Sequence, residues 1–290
     1  MVRFTKMQGA GNDFVVFDAT KDPIALTPEQ IRRLADRHFG IGCDQVLVVE
    51  PANDAAVDFV YRIYNADGNE VEQCGNGARA FVRFVRDRGL TTKDTIRVKT
   101  RGGVIEPQLL LDGEVRVNMG GARLLATDVP FDDRGLLRSG SARAPEYSLT
   151  VAGRLLSIGI ASMGNPHVVV TVPDVATAEV ATFGPLLEHH ERFPERVNAG
   201  FMQLIDRNRV ALRVWERGAG ETLACGTGAC AAAVIGIARG LLASPVKVET
   251  KGGPLVIEWD GDAKSPVYLT GPALSVFEGE IDLVRLDAQA

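Results

Sequence analysis

Residues 74–90 read CGNGARAFVRFVRDRGL, and residues 225–241 read CGTGACAAAVIGIARGL. Extended upstream, residues 61–90 and 212–241 align without a gap and share ten identities in thirty positions. The pairs are Arg62/Arg213, Glu70/Glu221, Cys74/Cys225, Gly75/Gly226, Gly77/Gly228, Ala78/Ala229, Ala80/Ala231, Arg88/Arg239, Gly89/Gly240 and Leu90/Leu241. After a one-residue shift, IRVKTRGG at 96–103 is answered by VKVETKGG at 246–253. Upstream, Gly11-Asn12 matches Gly164-Asn165, each leading into a run rich in valine. Glycine bias alone does not reproduce order and spacing over such a length, so the chain reads as two copies of one domain.

Each copy has the same coarse plan. β-Rich runs come first (13–18, 46–49 and 57–64, then 168–172, 200–205 and 210–216). A polar, glycine-containing loop follows (65–73; 217–224), then a helix that starts just after the cysteine. Strands with Gly-Gly turns close the copy (96–101 and 104–111; 246–251 and 255–259). In the first helix Ala78, Phe81, Val82 and Val85 follow helical spacing, with Arg79, Arg83 and Arg86 on another face. The second is apolar nearly all round, which predicts enclosure by its own sheet. A further helix is expected at 28–38, with Thr27 as N-cap and Gly40 past its end. Residues 126–145 read as a surface connection. Strands outnumber helices, so the fold class is α+β.

Length, charge and cysteine usage exclude several classes. Two hundred and ninety residues with 46% hydrophobic and 24% charged content describe a globular chain able to bury its own core. A net charge of −5, without a basic block, argues against nucleic acid or an anionic membrane as partner. The first residues lack the apolar core of a signal peptide, and the apolar run 229–238 is half a membrane span, so the expected compartment is the cytoplasm. Four scattered cysteines do not form a disulfide framework. The absence of Cys-x-x-Cys and the placement of the four histidines leave no expected metal site. No Gly-Lys-Ser/Thr follows the glycine turns, and Gly9-Ala10-Gly11 is no dinucleotide fingerprint.

The repeated Cys-Gly-x-Gly carries the chemistry. The first amides of a helix have no intrahelical partner, so they can hold a carboxylate. The positive end of the helix also stabilises a nearby thiolate by ~0.3–1 kcal/mol. Glycines 75, 77, 226 and 228 leave room for a ligand to approach the backbone. If two such sites face each other about a pseudo-twofold axis, one thiol stands on each side of the carbon next to a shared carboxylate. A two-base racemase needs that geometry. Cys43 and Cys230 carry no such pairing and read as small buried hydrophobes.

GAGNDF at 9–14, YNADGNEVEQCGNGARA at 64–80, MGNPH at 163–167 and ERGAGETLACGTGACA at 216–231 closely resemble the diaminopimelate epimerase family. The resemblance implies a cofactor-independent isomerase that interconverts LL- and meso-2,6-diaminopimelate, on the route to lysine and peptidoglycan. It implies two pseudo-symmetric repeated domains, each a mostly antiparallel, barrel-like sheet around a central helix, with the active site in the cleft between them. The domains would be 1–121 with 272–290, and 122–271; the partner beyond the small-molecule substrate would be a second copy, as a homodimer. Cys74 and Cys225 match the catalytic thiols. Asn12, Gln45, Asn65, Gly75, Asn76, Asn165, Asn198, Glu216, Arg217, Gly226 and Thr227 match substrate-contacting positions, and His167 and Glu216 match residues that tune the thiols. Cys43, before Asp44-Gln45, departs from the family pattern and would be open to oxidation if exposed. Three alternatives remain at this point. A proline or hydroxyproline racemase shares the cysteine motifs, although Glu216-Arg217 and the asparagines suit a second charged head. A thiol hydrolase with Cys74 and His167 leaves the second cysteine unexplained. A Cys74–Cys225 redox switch would need a partner bound in one oxidation state only.

Overall fold

The computed structural model describes residues 1–71 and 75–287. The chain divides into two compact units, residues 1–117 with 271–290 and residues 118–270.

The first unit is built on β1 (Val2–Gly9), β2 (Asn12–Asp18), β3 (Gln45–Pro51), β4 (Phe59–Asn65), β5 (Glu70–Val71), β6 (Val98–Thr100) and β7 (Gly103–Ile105). The strand Leu274–Ile281 pairs with β1, and the order runs from it through β1, β2, β3, β4 and β6 to β7, with β5 on β4. Among the described residues, pairing is antiparallel except β2 with β3 and β4 with β6. A parallel pair needs a crossover, and α1 (Pro28–Ala35) supplies the first of these. Its capping box is complete: Thr27 Oγ1 accepts from the Gln30 amide and Gln30 Oε1 from the Thr27 amide. Its last helical residue is Ala35, with Asp36 as the C-cap, three residues short of the expected end at residue 38. The cause is that Asp36 Oδ1 accepts from the amides of His38 and Phe39, at 2.7 and 2.8 Å, which turns the chain out of the helix. The second crossover is α2 (Gly75–Asp87), which packs its apolar side on β1, β2, β3 and the last strand. Short β8 (Gln108–Leu109) forms a hairpin with β9 (Val115–Gly121), along which the chain passes into the second unit.

The second unit repeats the scheme with β10 (Arg138–Ser139), β11 (Glu146–Val151), β12 (Arg154–Ser162), β13 (Pro166–Thr171), β14 (Asn198–Asp206), β15 (Arg209–Glu216), β16 (Gly220–Thr222), β17 (Val246–Thr250), β18 (Gly253–Glu258) and β19 (Pro266–Gly271). Here too, parallel pairs mark the crossovers: β13 with β14 and β15 with β17. They are bridged by α3 (Val180–Glu188) and α4 (Gly226–Ala238). The helix α4 touches β12, β13, β14, β15, β17 and β18, so the sheet wraps round it. Residues 229–235 are all buried, as an all-apolar helix requires.

Equivalent positions make equivalent contacts. Arg62 pairs with Glu70 at 2.9 Å, and Arg213 with Glu221 at 2.7 Å. In the two Gly-Gly hairpins, Thr100 Oγ1 donates to Gly103 O at 2.9 Å and Thr250 Oγ1 to Gly253 O at 2.6 Å. Residues 126–145 are not purely a surface connection: Val129 and Phe131 are buried, and Phe131 stacks on Phe193 with ring centroids 4.8 Å apart. No described helix is long and apolar enough to cross a membrane.

Candidate functional site

In each unit the expected residues gather where the parallel strands begin and the post-cysteine helix starts. In the first, Ala10 and Gly11 take positive φ (53° and 84°), as a two-residue hairpin turn requires, and deliver Asn12 to the start of β2. Asn12 Nδ2 donates to Asp44 Oδ2 at 2.7 Å, and Asn12 Oδ1 accepts from Asn76 Nδ2 at 3.1 Å. Asn76 lies in the first turn of α2 beside Gly75 and is buried. Gln45, first in β3, faces Asn65, last in β4, and Gln45 Nε2 donates to Asn65 Oδ1 at 2.8 Å. Among the described residues, Gln45 Oε1 and Asn76 Oδ1 are buried oxygens without a hydrogen-bond partner. Cys74 lies outside the described residues.

An ionic cluster backs this group. Lys6 Nζ donates to Asp13 Oδ2 at 2.6 Å, and Arg37 Nη2 donates to both Asp13 and Asp44 at 2.8 Å. Burial pushes the Asp13 carboxyl up, but the hydrogen bonds from Arg37 and Lys6 outweigh it and hold the group at about 2. Cys43 beside it is 2% exposed, and burial pushes its thiol up to about 12, so it is a poor target for oxidation.

In the second unit Gly164 (φ 91°) turns the chain so that Asn165 precedes β13, as Gly11 does for Asn12. Asn165 Nδ2 reaches Thr227 Oγ1 at 3.4 Å, the counterpart of the Asn12–Asn76 contact. Thr227 and Gly226 open α4, and Cys225 is its N-cap residue. Cys225 Sγ lies 3.5 Å from Thr227 Oγ1. Burial, and then the Glu216 carboxylate, drive the Cys225 thiol well above its ordinary range; the Thr227 hydroxyl and Gly228 amide act the other way without prevailing. Cys225 is therefore held as S–H. Glu216, at the end of β15, is fixed by Thr222 Oγ1 donating to its Oε1 at 2.6 Å.

His167 sits on β13 opposite Asn198 on β14. It is 1% exposed, and burial, followed by the Arg217 charge, lowers its pKa to about 3. The ring is neutral. Since Asn165 donates through Nδ2 to Thr227, its Oδ1 accepts from His167 Nε2–H at 3.0 Å, which fixes the tautomer. Asn198 Nδ2 donates to Pro166 O at 2.9 Å and Asn198 Oδ1 accepts from the Arg217 amide at 2.9 Å. Arg217 Nη1 donates to Glu195 O at 2.8 Å, with the rest of the exposed guanidinium available to an anion. Thus His167, Asn165, Thr227, Cys225 and Glu216 form one connected row, and Asn198 holds the Arg217 backbone beside it.

Two of the four glycines have a different reason from the one expected. A Cβ on Gly77 would lie 2.8 Å from Ile63 Cδ1 and closer still to Tyr61 Oη. One on Gly228 would lie 3.1 Å from Val214 Cγ2 and 3.3 Å from Cys225 Sγ. Ile63 and Val214 are repeat equivalents, so these glycines seat the helix on β4 or β15 rather than admit a ligand. Asp44 and Thr222 escaped the sequence reading, because each acts only through a partner, Asn12 or Glu216, already named. Among the described residues no cluster of three or more His, Cys, Asp or Glu is placed to hold a metal ion.

The diaminopimelate epimerase family model matches residues 4–125 and 159–276. A diaminopimelate epimerase of Herminiimonas arsenicoxydans is 61% identical over 282 residues, covering 97% of this chain and 99% of that one. One from Acidovorax ebreus (strain TPSY) is 58% identical over 286 residues, covering 97% and 98%. Among solved structures, a Bacillus anthracis phenazine biosynthesis protein of the PhzF family superposes with a TM-score of 0.68 at 16% identity, covering 97% of this chain and 98% of that one. A probable proline racemase from Agrobacterium radiobacter K84 gives 0.66 at 14%, covering 98% and 93%. At such identities these two share the fold with this chain. The chain belongs to the diaminopimelate epimerase family.

Proposed function

We propose that this protein is a cofactor-independent epimerase that interconverts LL-2,6-diaminopimelate and meso-2,6-diaminopimelate, with Cys74 and Cys225 as its two acid–base groups. The observation that carries the reading is the duplicated constellation: in each unit a post-glycine asparagine (Asn12; Asn165) contacts the second residue of the post-cysteine helix (Asn76; Thr227). One thiolate takes the α-proton, and the C–H electron pair moves into the carboxylate to give an enediolate. The opposite S–H then delivers its proton to the other face, leaving the two sulfurs with exchanged charges. Cys225, held as S–H, is the acid in one direction, and Cys74 is the base. In the reverse direction the roles exchange. Amides of Gly75, Asn76, Gly226 and Thr227 stabilise the carboxylate as its charge grows.

The distal head falls to Asn65, Asn165, Asn198, Glu216 and Arg217. Arg217 offers paired donors to its carboxylate. Glu216 and the unpartnered Gln45 Oε1 and Asn76 Oδ1 suit ammonium donors. His167, neutral, orients Asn165 and through it Thr227. Product serves lysine and peptidoglycan precursor synthesis in the cytoplasm, and the working form is a homodimer, which sedimentation tests directly. Reduced protein without added cofactor is expected to convert LL-diaminopimelate to the meso form, resolved by chiral chromatography, and to leave L-proline unchanged. Turnover of proline with diaminopimelate untouched would overturn the substrate assignment.

A further inference from the structure

The helix α3 carries a buried carboxylate that the proposed reaction does not use. Glu188 is 4% exposed. A buried charge is retained only where it is paired and hydrogen-bonded. Its Oε2 accepts from Trp215 Nε1 at 2.8 Å, and its Oε1 accepts from the Gly218 amide at 2.9 Å. Arg196 Nη1 and His189 Nε2 stand 3.8 and 4.0 Å from Oε1. Burial pushes the carboxyl up, and these donors and charges outweigh it, so Glu188 is ionised. The two residues between its hydrogen-bonded ends are Glu216 and Arg217.

We propose that Glu188 is a positioning residue for the reaction: by gripping both ends of the Trp215–Gly218 turn it fixes Glu216 beside Cys225 and Arg217 beside Asn198. The inference rests on the roles given to Glu216 and Arg217 above. The middle of the same turn is held by Asn198 Oδ1 on the Arg217 amide, and the Glu216 side chain by Thr222. With Glu188 added, backbone and side chain are tied from three elements: β14, β16 and α3. The equivalent stretch of the first unit, residues 64–67 followed by Gly68, is gripped by the equivalent crossover helix with other chemistry. There Arg32 Nη1 donates to Asp67 O at 3.2 Å, and Gly68 sits so near α1 that a Cβ would lie 2.6 Å from Pro28 O. Both units therefore use the crossover helix to set the turn that leads to the cysteine.

Glu188→Gln tests this with little change of shape. Both partners are N–H donors, and an amide offers one acceptor where the carboxylate offered two. One end of the turn is released. The expected result is a native circular dichroism spectrum with two functional changes. Alkylation of Cys225 by iodoacetamide at neutral pH, located by peptide mass spectrometry, rises about tenfold, because the Glu216 charge that helps to keep the thiol protonated moves away from it. The kcat/KM for diaminopimelate falls roughly 10²-fold, as expected for a displacement of about 1 Å. A folded variant with wild-type alkylation and wild-type kcat/KM overturns the proposal, as does one that loses only thermal stability. If Glu188→Gln does not fold, Trp215→Phe removes one donor and leaves the Gly218 end. Its alkylation rate and KM are expected to rise, and values matching wild type overturn the proposal. The alkylation readout needs no substrate. A wild-type protein inert toward diaminopimelate would thus defeat the substrate assignment while still leaving Glu188 tested.

Discussion

Acidification should destabilise the second unit through one side chain, His167. Its imidazole is 1% exposed, and burial lowers its pKa to about 3, against 6.5 for the free side chain. The folded value lies below the unfolded one, so the unfolded chain binds the extra proton first. Stability is at its plateau above about pH 7 and declines as pH falls from 6.5 toward 3, by about 1.4 kcal/mol per unit. Between pH 7 and pH 5 the loss from this group is about 2 kcal/mol. Urea denaturation at both pH values, on the wild type and on His167→Gln, isolates it. Glutamine keeps an N–H for Asn165 but does not titrate, so the variant is expected to lose about 2 kcal/mol less over that interval, whatever its stability at pH 7. Equal pH dependence in the two proteins would refute the assignment of His167 as a buried neutral ring.

Gly77→Ala should destabilise the first unit by about 1–3 kcal/mol in thermal or chemical unfolding, because its Cβ collides with the buried Tyr61 and Ile63, whereas Gly228→Ala, with 3.1 Å to Val214, should cost less and mainly alter Cys225 reactivity. Cys43 should resist iodoacetamide in the native protein and react only after unfolding, given its 2% exposure and a thiol pushed up to about 12; rapid native labelling would contradict this. In double-mutant cycles Arg213–Glu221, with side chains 17% and 19% exposed, should show a larger coupling than its repeat equivalent Arg62–Glu70, at 41% and 25%, for which about 0.2–1 kcal/mol is expected.

The repeat was legible because selection for the same contact leaves the same letters. Arg62/Arg213 and Glu70/Glu221 are cross-strand ion pairs, Thr100 and Thr250 close matching hairpins, and Gly77 and Gly228 seat matching helices. Other elements gave no local signal. The strand β1 buries Thr5 and Lys6 along with its apolar residues, so no alternation marks it. The helix α3 has no side-chain cap and carries Pro185 inside, which reads as a break; it is held by packing on β14, β15 and β16. Residues 126–145 look polar, yet two apolar side chains within them plug the core. At the site, the candidate contact residues can be named from motifs, whereas the residues that hold them cannot. Asp44, Thr222 and Glu188 act through partners that folding alone brings near. Glycines 77 and 228 read in the sequence as leaving room for a ligand, whereas the structure gives them a helix–strand contact that the sequence does not display.

The two-thiol account is tested most directly by following deuterium at the α-carbon in D₂O, starting separately from LL- and meso-diaminopimelate with fully reduced protein. With one acid–base group on each face, solvent deuterium enters the product isomer while recovered starting isomer stays protiated at early times, in both directions. Deuterium appearing in recovered starting isomer as fast as in product would mean that a single group serves both faces, and the account would fail.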